Sequence, residues 1–245
     1  MQMPLLFERT PVLTRLRARL GAVFGPQRDE ERLDPTSQLV NAIISARTRD
    51  AVSLAAFARL RQRYPAWEAL RQAEPFEIEC LIRPVMYADV KARWLPRALA
   101  MITAETGGLD LAFLGALPVD DAMAWLRQLP GIDMRNAATT INFSTLRMRA
   151  LSIDTHVLRI GQRLGLLPPT ADYARAYHGY MRLVPESWDG DDLYELHWLL
   201  KQHGQQVCTF AAPKCGQCVL RDLCPRRIVE RATIGENRKQ AAPPM

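Results

Sequence analysis

The chain has 245 residues, enough for one or two domains with an ample core. Hydrophobic residues make up 48% and charged residues 24%, a globular balance that excludes a disordered chain. A net charge of +6 and a pI near 9.3 fit a polyanionic partner, and fit a merely soluble surface equally well.

From the N-terminus, MQMPLLFERTP lacks a signal-peptide pattern, and no apolar run reaches membrane-spanning length. A cytosolic protein with no membrane partner is therefore expected, a compartment that keeps thiols reduced. Apolar residues then recur at three- and four-residue intervals, and alternating runs are scarce, so the fold class reads as all-α. Leu39, Val40, Ile43 and Ile44 form one helical stripe after the cap candidates Thr36 and Ser37. Cys80 lies in the apolar stretch FEIECLI and is expected to be a buried thiol. Trp94, Leu95, Ala98, Leu99 and Ile102 form a second stripe, and Ala122, Trp125, Leu126 and Leu129 a third. Val157, Leu158, Ile160, Gly161 and Leu164 belong to a further helix, and Leu193, Leu196, His197 and Leu200 to a late one. The four histidines (His156, His178, His197, His203) suggest no shared metal set. Pro and Gly are scattered, so no linker is visible, and the Pro-rich end of the tail is expected to be disordered.

Three segments carry chemistry. In DAMAWLRQLPGIDM, Leu129-Pro130-Gly131 separates one helix from another that starts near Met134. Such a turn is an ordinary helix–helix connection, or it aims the amides of the second helix at an anion such as a DNA phosphate. Asp154, in Ser152-Ile153-Asp154-Thr155-His156-Val157, opens the next helix as an N-cap, a catalyst, or both. Cys208, Cys215, Cys218 and Cys224 fall within seventeen residues at C-x6-C-x2-C-x5-C spacing. Soft thiolates at that density favour zinc or an iron–sulfur cluster over hard cations.

Taken together, these segments resemble the endonuclease III family of DNA glycosylases. The cysteine spacing with Pro213-Lys214-Cys215-Gly216 resembles that family's 4Fe–4S loop, and LPG followed by IDTHV-x-R-x3-RLG resembles its helix-hairpin-helix and aspartate signature. LVNAIISARTRD (39–50) resembles the segment ending in SAQATD, PVMYADVKA (84–92) the wedge-loop region, and Leu196-His197-Trp198-Leu199 the helix before the cluster. The resemblance runs from about residue 12 to 226. It implies two helical lobes flanking a DNA-binding cleft. Residues 33–147 would form a six-helix barrel with the hairpin, 1–32 with 148–226 the cluster lobe, and 227–245 a flexible tail. It also implies a 4Fe–4S cluster on the four cysteines, a monomer acting on double-stranded DNA, and base flipping before glycosidic cleavage. Asp154 would stabilise the oxocarbenium-like charge. Gly131 and Asp133 of the hairpin, Arg47 as hole filler, Tyr87 as wedge, and Lys214 and Arg221 of the cluster loop would contact DNA.

The chain also departs from that family. Arg135 stands where endonuclease III carries the lysine nucleophile, and a guanidinium has no usable lone pair at neutral pH. Only four of the 32 basic residues are lysines (Lys91, Lys201, Lys214, Lys239), so a lysine-based lyase must use one of these or the N-terminal amine. Asp133 replaces glycine, a good helix cap whose charge opposes a phosphate. Arg47 replaces glutamine. Tyr87 is either a stacking wedge or a buried core residue. The expected function is a base-excision glycosylase with weak or absent lyase activity, damaged pyrimidines being the expected substrate. The alternatives are a non-catalytic lesion-sensing relative and, more distantly, an electron-transfer protein.

Overall fold

In the computed structural model, residues 11–28 and 31–225 are described; the expected flexible tail lies outside them. Eleven α-helices occur among these residues: α1 (Val12–Phe24), α2 (Pro35–Ser45), α3 (Asp50–Arg63), α4 (Trp67–Arg71), α5 (Pro75–Ile82), α6 (Ala88–Thr106), α7 (Val119–Leu126), α8 (Met134–Phe143), α9 (Thr155–Arg163), α10 (Tyr173–Met181) and α11 (Gly190–Gln206). Among the described residues there is no strand, only an isolated bridge between Leu33 and Ser144. The all-α expectation is borne out. None of the described helices is long and apolar enough to cross a membrane.

Aspartate caps punctuate the chain. Asp34, Asp133, Asp154 and Asp172 each accept a backbone N–H from the first turn of α2, α8, α9 and α10. Each such cap contributes about 1 kcal/mol by satisfying an amide that the helix cannot. The cap of α2 is therefore Asp34, not Thr36 or Ser37. Pro35 at the first helical position fixes the entry, its absent N–H costing nothing there. Ser37 instead donates its hydroxyl to Asp34, and Thr36 donates to the Leu109 carbonyl.

Contacts divide the described residues into two units. One contains 31–152 and 189–193, the other 11–28, 153–188 and 194–225. In the first, α2 is the central helix, buried on nearly every side and packed on α3, α6 and α8. α5 and α4 lie on α6, and α7 lies on α8. The sequence stripe Leu39, Val40, Ile43, Ile44 is fully interior, as are Leu95, Ala98, Leu99 and Ile102 of α6. Cys80 corrects the expectation of a buried thiol: it is exposed. α5 turns Ile78 and Ile82 inward, and a residue two positions from either lies about 200° around the helix.

In the second unit, Leu13, Leu16 and Leu20 of α1 share a core with Val157 and Ile160, Ala176 and Tyr180, and Leu196, Leu199 and Leu200. Arg17 Nε donates to Glu195 at 2.5 Å, while its guanidinium stacks 5.1 Å from the Trp188 ring, tying α1 to α11. α9 and α10 meet where Tyr180 Oη donates to the Val157 carbonyl at 3.0 Å. Gly161 makes that approach possible: a methyl group there would lie 2.6 Å from Tyr180 Oη and 2.7 Å from Leu167.

Substituting Gly161→Ala favours an isolated helix by about 1 kcal/mol. Here overpacking reverses the sign, and we expect a loss of about 1–3 kcal/mol, read as a lower urea midpoint. An unchanged or raised midpoint contradicts this packing.

Candidate functional site

The turn before α8 builds one face of the site. Gly131 has φ 83°, a left-handed conformation, and a Cβ there would meet the Trp94 ring at 2.6 Å. Glycine is demanded twice, by backbone and by neighbour. Asn136 then locks the turn, its side chain donating to the Gly131 carbonyl at 2.8 Å. Asp133 Oδ1 accepts the Asn136 N–H, also at 2.8 Å, which is the capping role its sequence position suggested. One of the amides that an incoming anion would use is thus already occupied by a carboxylate.

This turn lines a pocket of about 530 Å³ together with Ala46, Arg47, Tyr87, Val90, Lys91, Trp94 and Arg135. Five residues singled out from the sequence (Arg47, Tyr87, Gly131, Asp133 and Arg135) therefore share one concavity. Arg47 is exposed, and Tyr87 keeps 52% of its surface open, which removes the core reading of that tyrosine.

Lys91 was not among the residues expected here. It is 2% exposed, and its ammonium donates to the carbonyls of Ile44 (2.8 Å) and Ala46 (2.6 Å), with Thr48 Oγ1 at 3.4 Å. Burial, and then the charge of Arg135, bring its pKa down to about 8. Three acceptors around Nζ keep the ammonium its main form at neutral pH. A lysine four residues after Tyr87, amid the apolar positions of α6, was the available signal.

In the other unit, Asp154 caps α9. Its Oδ1 accepts the N–H groups of His156 and Val157, both at 2.8 Å, and Oδ2 takes neither. Burial pushes this carboxyl toward protonation, but the charge available at His197, the Val157 N–H, His156 and Lys201 outweigh it. The net result holds Asp154 below the usual carboxylate range. His197 and Lys201 stand one turn apart on α11, so both act on Asp154 from one helix face.

The four cysteines of the C-terminal segment line one cavity of the same unit, together with Ile160, Arg163, Leu164, His203, Val207, Leu220 and others. α9 grips the segment. Arg159 donates to the Cys208 carbonyl, and Arg163 reaches the Thr209 carbonyl at 2.6 Å, the Phe210 carbonyl at 2.9 Å and Cys208 Sγ at 3.3 Å. These are the two arginines of the IDTHV-x-R-x3-R run, a structural role not read from the sequence. Asp222, held by both guanidinium nitrogens of Arg19, fastens the segment to α1. Burial raises the Cys218 thiol, opposed by the Leu220 N–H and reinforced by the charges of Cys208, Cys224 and Cys215. His203 lies 3.6 Å from Cys218 Sγ, and burial, then the Arg159 charge, lower it to about 4, so it is neutral.

Among the described residues, no three or more His, Cys, Asp or Glu side chains converge on a single ion. Lys214 and Arg221 are exposed at the rim of this cavity.

Known proteins resemble this chain in sequence and in fold. Residues 40–186 match the family model described as HhH-GPD superfamily base excision DNA repair protein. Endonuclease III of Synechocystis sp. is 32% identical over 192 residues, covering 78% of this chain and 81% of that protein. Endonuclease III-like protein 1 of Gallus gallus is 29% identical over 188 residues; the match covers 76% of this chain but only 62% of the chicken protein's length. The fold is similar to that in a trapped endonuclease III–DNA covalent intermediate, with TM-score 0.74, 22% identity, and coverage of 89% and 97% of the two chains. It is also similar to a thermostable thymine-DNA glycosylase, with TM-score 0.69, 18% identity, and coverage of 87% and 94%. At these identities, the two structures speak for the fold alone.

Proposed function

We propose a function on this premise: the chain belongs to the HhH-GPD superfamily of base excision DNA repair proteins. It is a DNA glycosylase similar to endonuclease III, acting as a monomer on damaged bases, pyrimidines first, in cytosolic double-stranded DNA. The observation that carries the reading is Asp154, half-buried yet held ionised by two amides and by His197 and Lys201 of α11. As the glycosidic bond breaks, the base leaves with the bonding electrons and positive charge develops on the sugar. A fixed carboxylate stabilises that charge without reorganising. Water then adds to C1′ and its proton passes to the departed base, leaving the free base and an abasic site.

Lyase activity is weak or absent in this reading. A Schiff base needs an amine that can lose a proton, and Arg135 has none to offer. Lys91 is committed to its three acceptors. The arginine serves instead to hold an anionic oxygen of the DNA. Arg47 and Tyr87, on the rim of the hairpin pocket, fill and wedge the duplex where the base has left.

The cysteine cavity fits a 4Fe–4S cluster held by Cys208, Cys215, Cys218 and Cys224: four soft donors, apolar walls and cationic neighbours to offset thiolate charge. When bound, that cluster shapes the loop that carries Lys214 and Arg221. The rest of the grip comes from Arg159, Arg163 and Arg19. Purified protein should contain iron and acid-labile sulfide in equal amounts, and Cys218→Ser should lose both. Bound zinc without sulfide would overturn the assignment.

Asp154→Asn tests the mechanism, because asparagine caps a helix about as well as aspartate. Base release should fall by at least about 10²-fold while duplex binding and thermal unfolding change little. Undiminished release would remove Asp154 from the chemistry. Asp133→Gly addresses the hairpin: freeing the Asn136 amide should tighten duplex binding several-fold at low salt, at the cost of a few tenths of a kcal/mol of stability. Equal affinity would show that the carboxylate does not compete with phosphate.

A further inference from the structure

Two non-glycine residues on the rim of the hairpin pocket have left-handed backbones: Arg47 at φ 57° and Tyr87 at φ 58°. Such conformations cost about 1 kcal/mol or more each and persist where surrounding structure over-determines them. Neither residue is in a tight glycine turn. Arg47 follows the C-terminus of α2, and Tyr87 is the residue that precedes α6. Each side chain is exposed, so its own packing does not dictate the strain.

One buried group reaches both loops. The Lys91 ammonium takes the Ile44 and Ala46 carbonyls at the end of α2, where a cation also complements the helix dipole. These carbonyls flank Arg47 from the N-terminal side, and Thr48 Oγ1, 3.4 Å from Nζ, flanks it from the other. Thr48 in turn accepts the Met86 N–H at 3.2 Å, immediately before Tyr87. Lys91 sits one turn into α6, with its own N–H on the Tyr87 carbonyl at 3.0 Å. The chain of bonds therefore runs from α2 through Lys91 and Thr48 to Met86, and closes at Tyr87.

We infer that Lys91 is a positioning residue that clamps Arg47 and Tyr87 into one rigid two-pronged reader of the duplex. It acts through these two side chains and does not touch the reacting atoms. Holding both prongs in their strained conformations before DNA arrives removes the ordering cost that flexible loops would meet on binding. The inference rests on the glycosylase reading above, in which Arg47 and Tyr87 enter the DNA.

Lys91→Met keeps the length of the side chain and deletes its donors. In the cluster-loaded full chain, hydrogen exchange over residues 46–49 and 85–88 should quicken together, while α7 and α10 keep wild-type protection. On a lesion duplex, KM should rise about ten-fold with kcat within about two-fold, the pattern of lost binding organisation rather than lost chemistry. Thr48→Val, a milder change, should quicken exchange mainly over 85–88, which keeps the test open if the lysine variant folds poorly. A 2-aminopurine opposite the lesion should report a weaker fluorescence change on binding in both variants. Unaltered exchange at both loops in both variants, or an equal fall in kcat and kcat/KM, would overturn the clamp. A wild-type protein that releases no base would instead defeat the glycosylase reading, and the exchange data would still judge the clamp.

Discussion

A carboxylate kept charged while half-buried is the constraint on which the rest of this molecule turns. Taking Asp154 out of water favours its neutral form, so the surroundings must return what solvation supplied. Two amides at the start of α9 do so locally, and His197 and Lys201 do so from α11. That in turn fixes how α9 and α11 present themselves within their unit, with Gly161 allowing Tyr180 of α10 to close against α9. Capping and the proposed catalysis make the same demand of the side chain, a stable negative charge at a fixed point. They need not be weighed against each other.

The unit built on α2 follows a different logic. There the glycine–tryptophan contact at Gly131 and the carbonyl grip of Lys91 shape a concavity whose charged residues are mostly basic. Arg47, Lys91 and Arg135 line it, and Asp133 is the one carboxylate among its lining residues. The basic excess of the whole chain is modest, but here it is concentrated. In the proposed reading, Arg135 keeps positive charge at this position but offers no amine for a Schiff base, which separates binding from lyase chemistry.

Much of this was legible in the sequence, for physical reasons. Helical periodicity survives in any sequence that buries one face, so the stripes of α2, α6 and α11 were readable. The capping role of Asp154 was readable because an aspartate at a helix start is a frequent N-cap. The cap of α2 was less so: Thr36 and Ser37 are good capping types, yet Pro35 can occupy the first turn only if Asp34 precedes it as the cap. Cys80 misled because an apolar neighbourhood in sequence covers both faces of a helix. Lys91 was least legible, since lysine is almost never fully buried and only three-dimensional proximity reveals the carbonyls that hold it. The left-handed backbones at Arg47 and Tyr87 leave no mark in the sequence, because neither residue is one that favours them.

The central claim is base removal without strand cleavage. The most direct test incubates end-labelled duplexes carrying oxidised pyrimidines, uracil or alkylated purines with the protein. Half of each reaction is analysed directly and half after alkali, which cuts abasic sites. Cuts are expected only in the alkali-treated half. Equal cutting in both halves would contradict it by demanding an active amine, and no cutting in either half, with DNA still bound, would leave a lesion-binding protein in place of an enzyme.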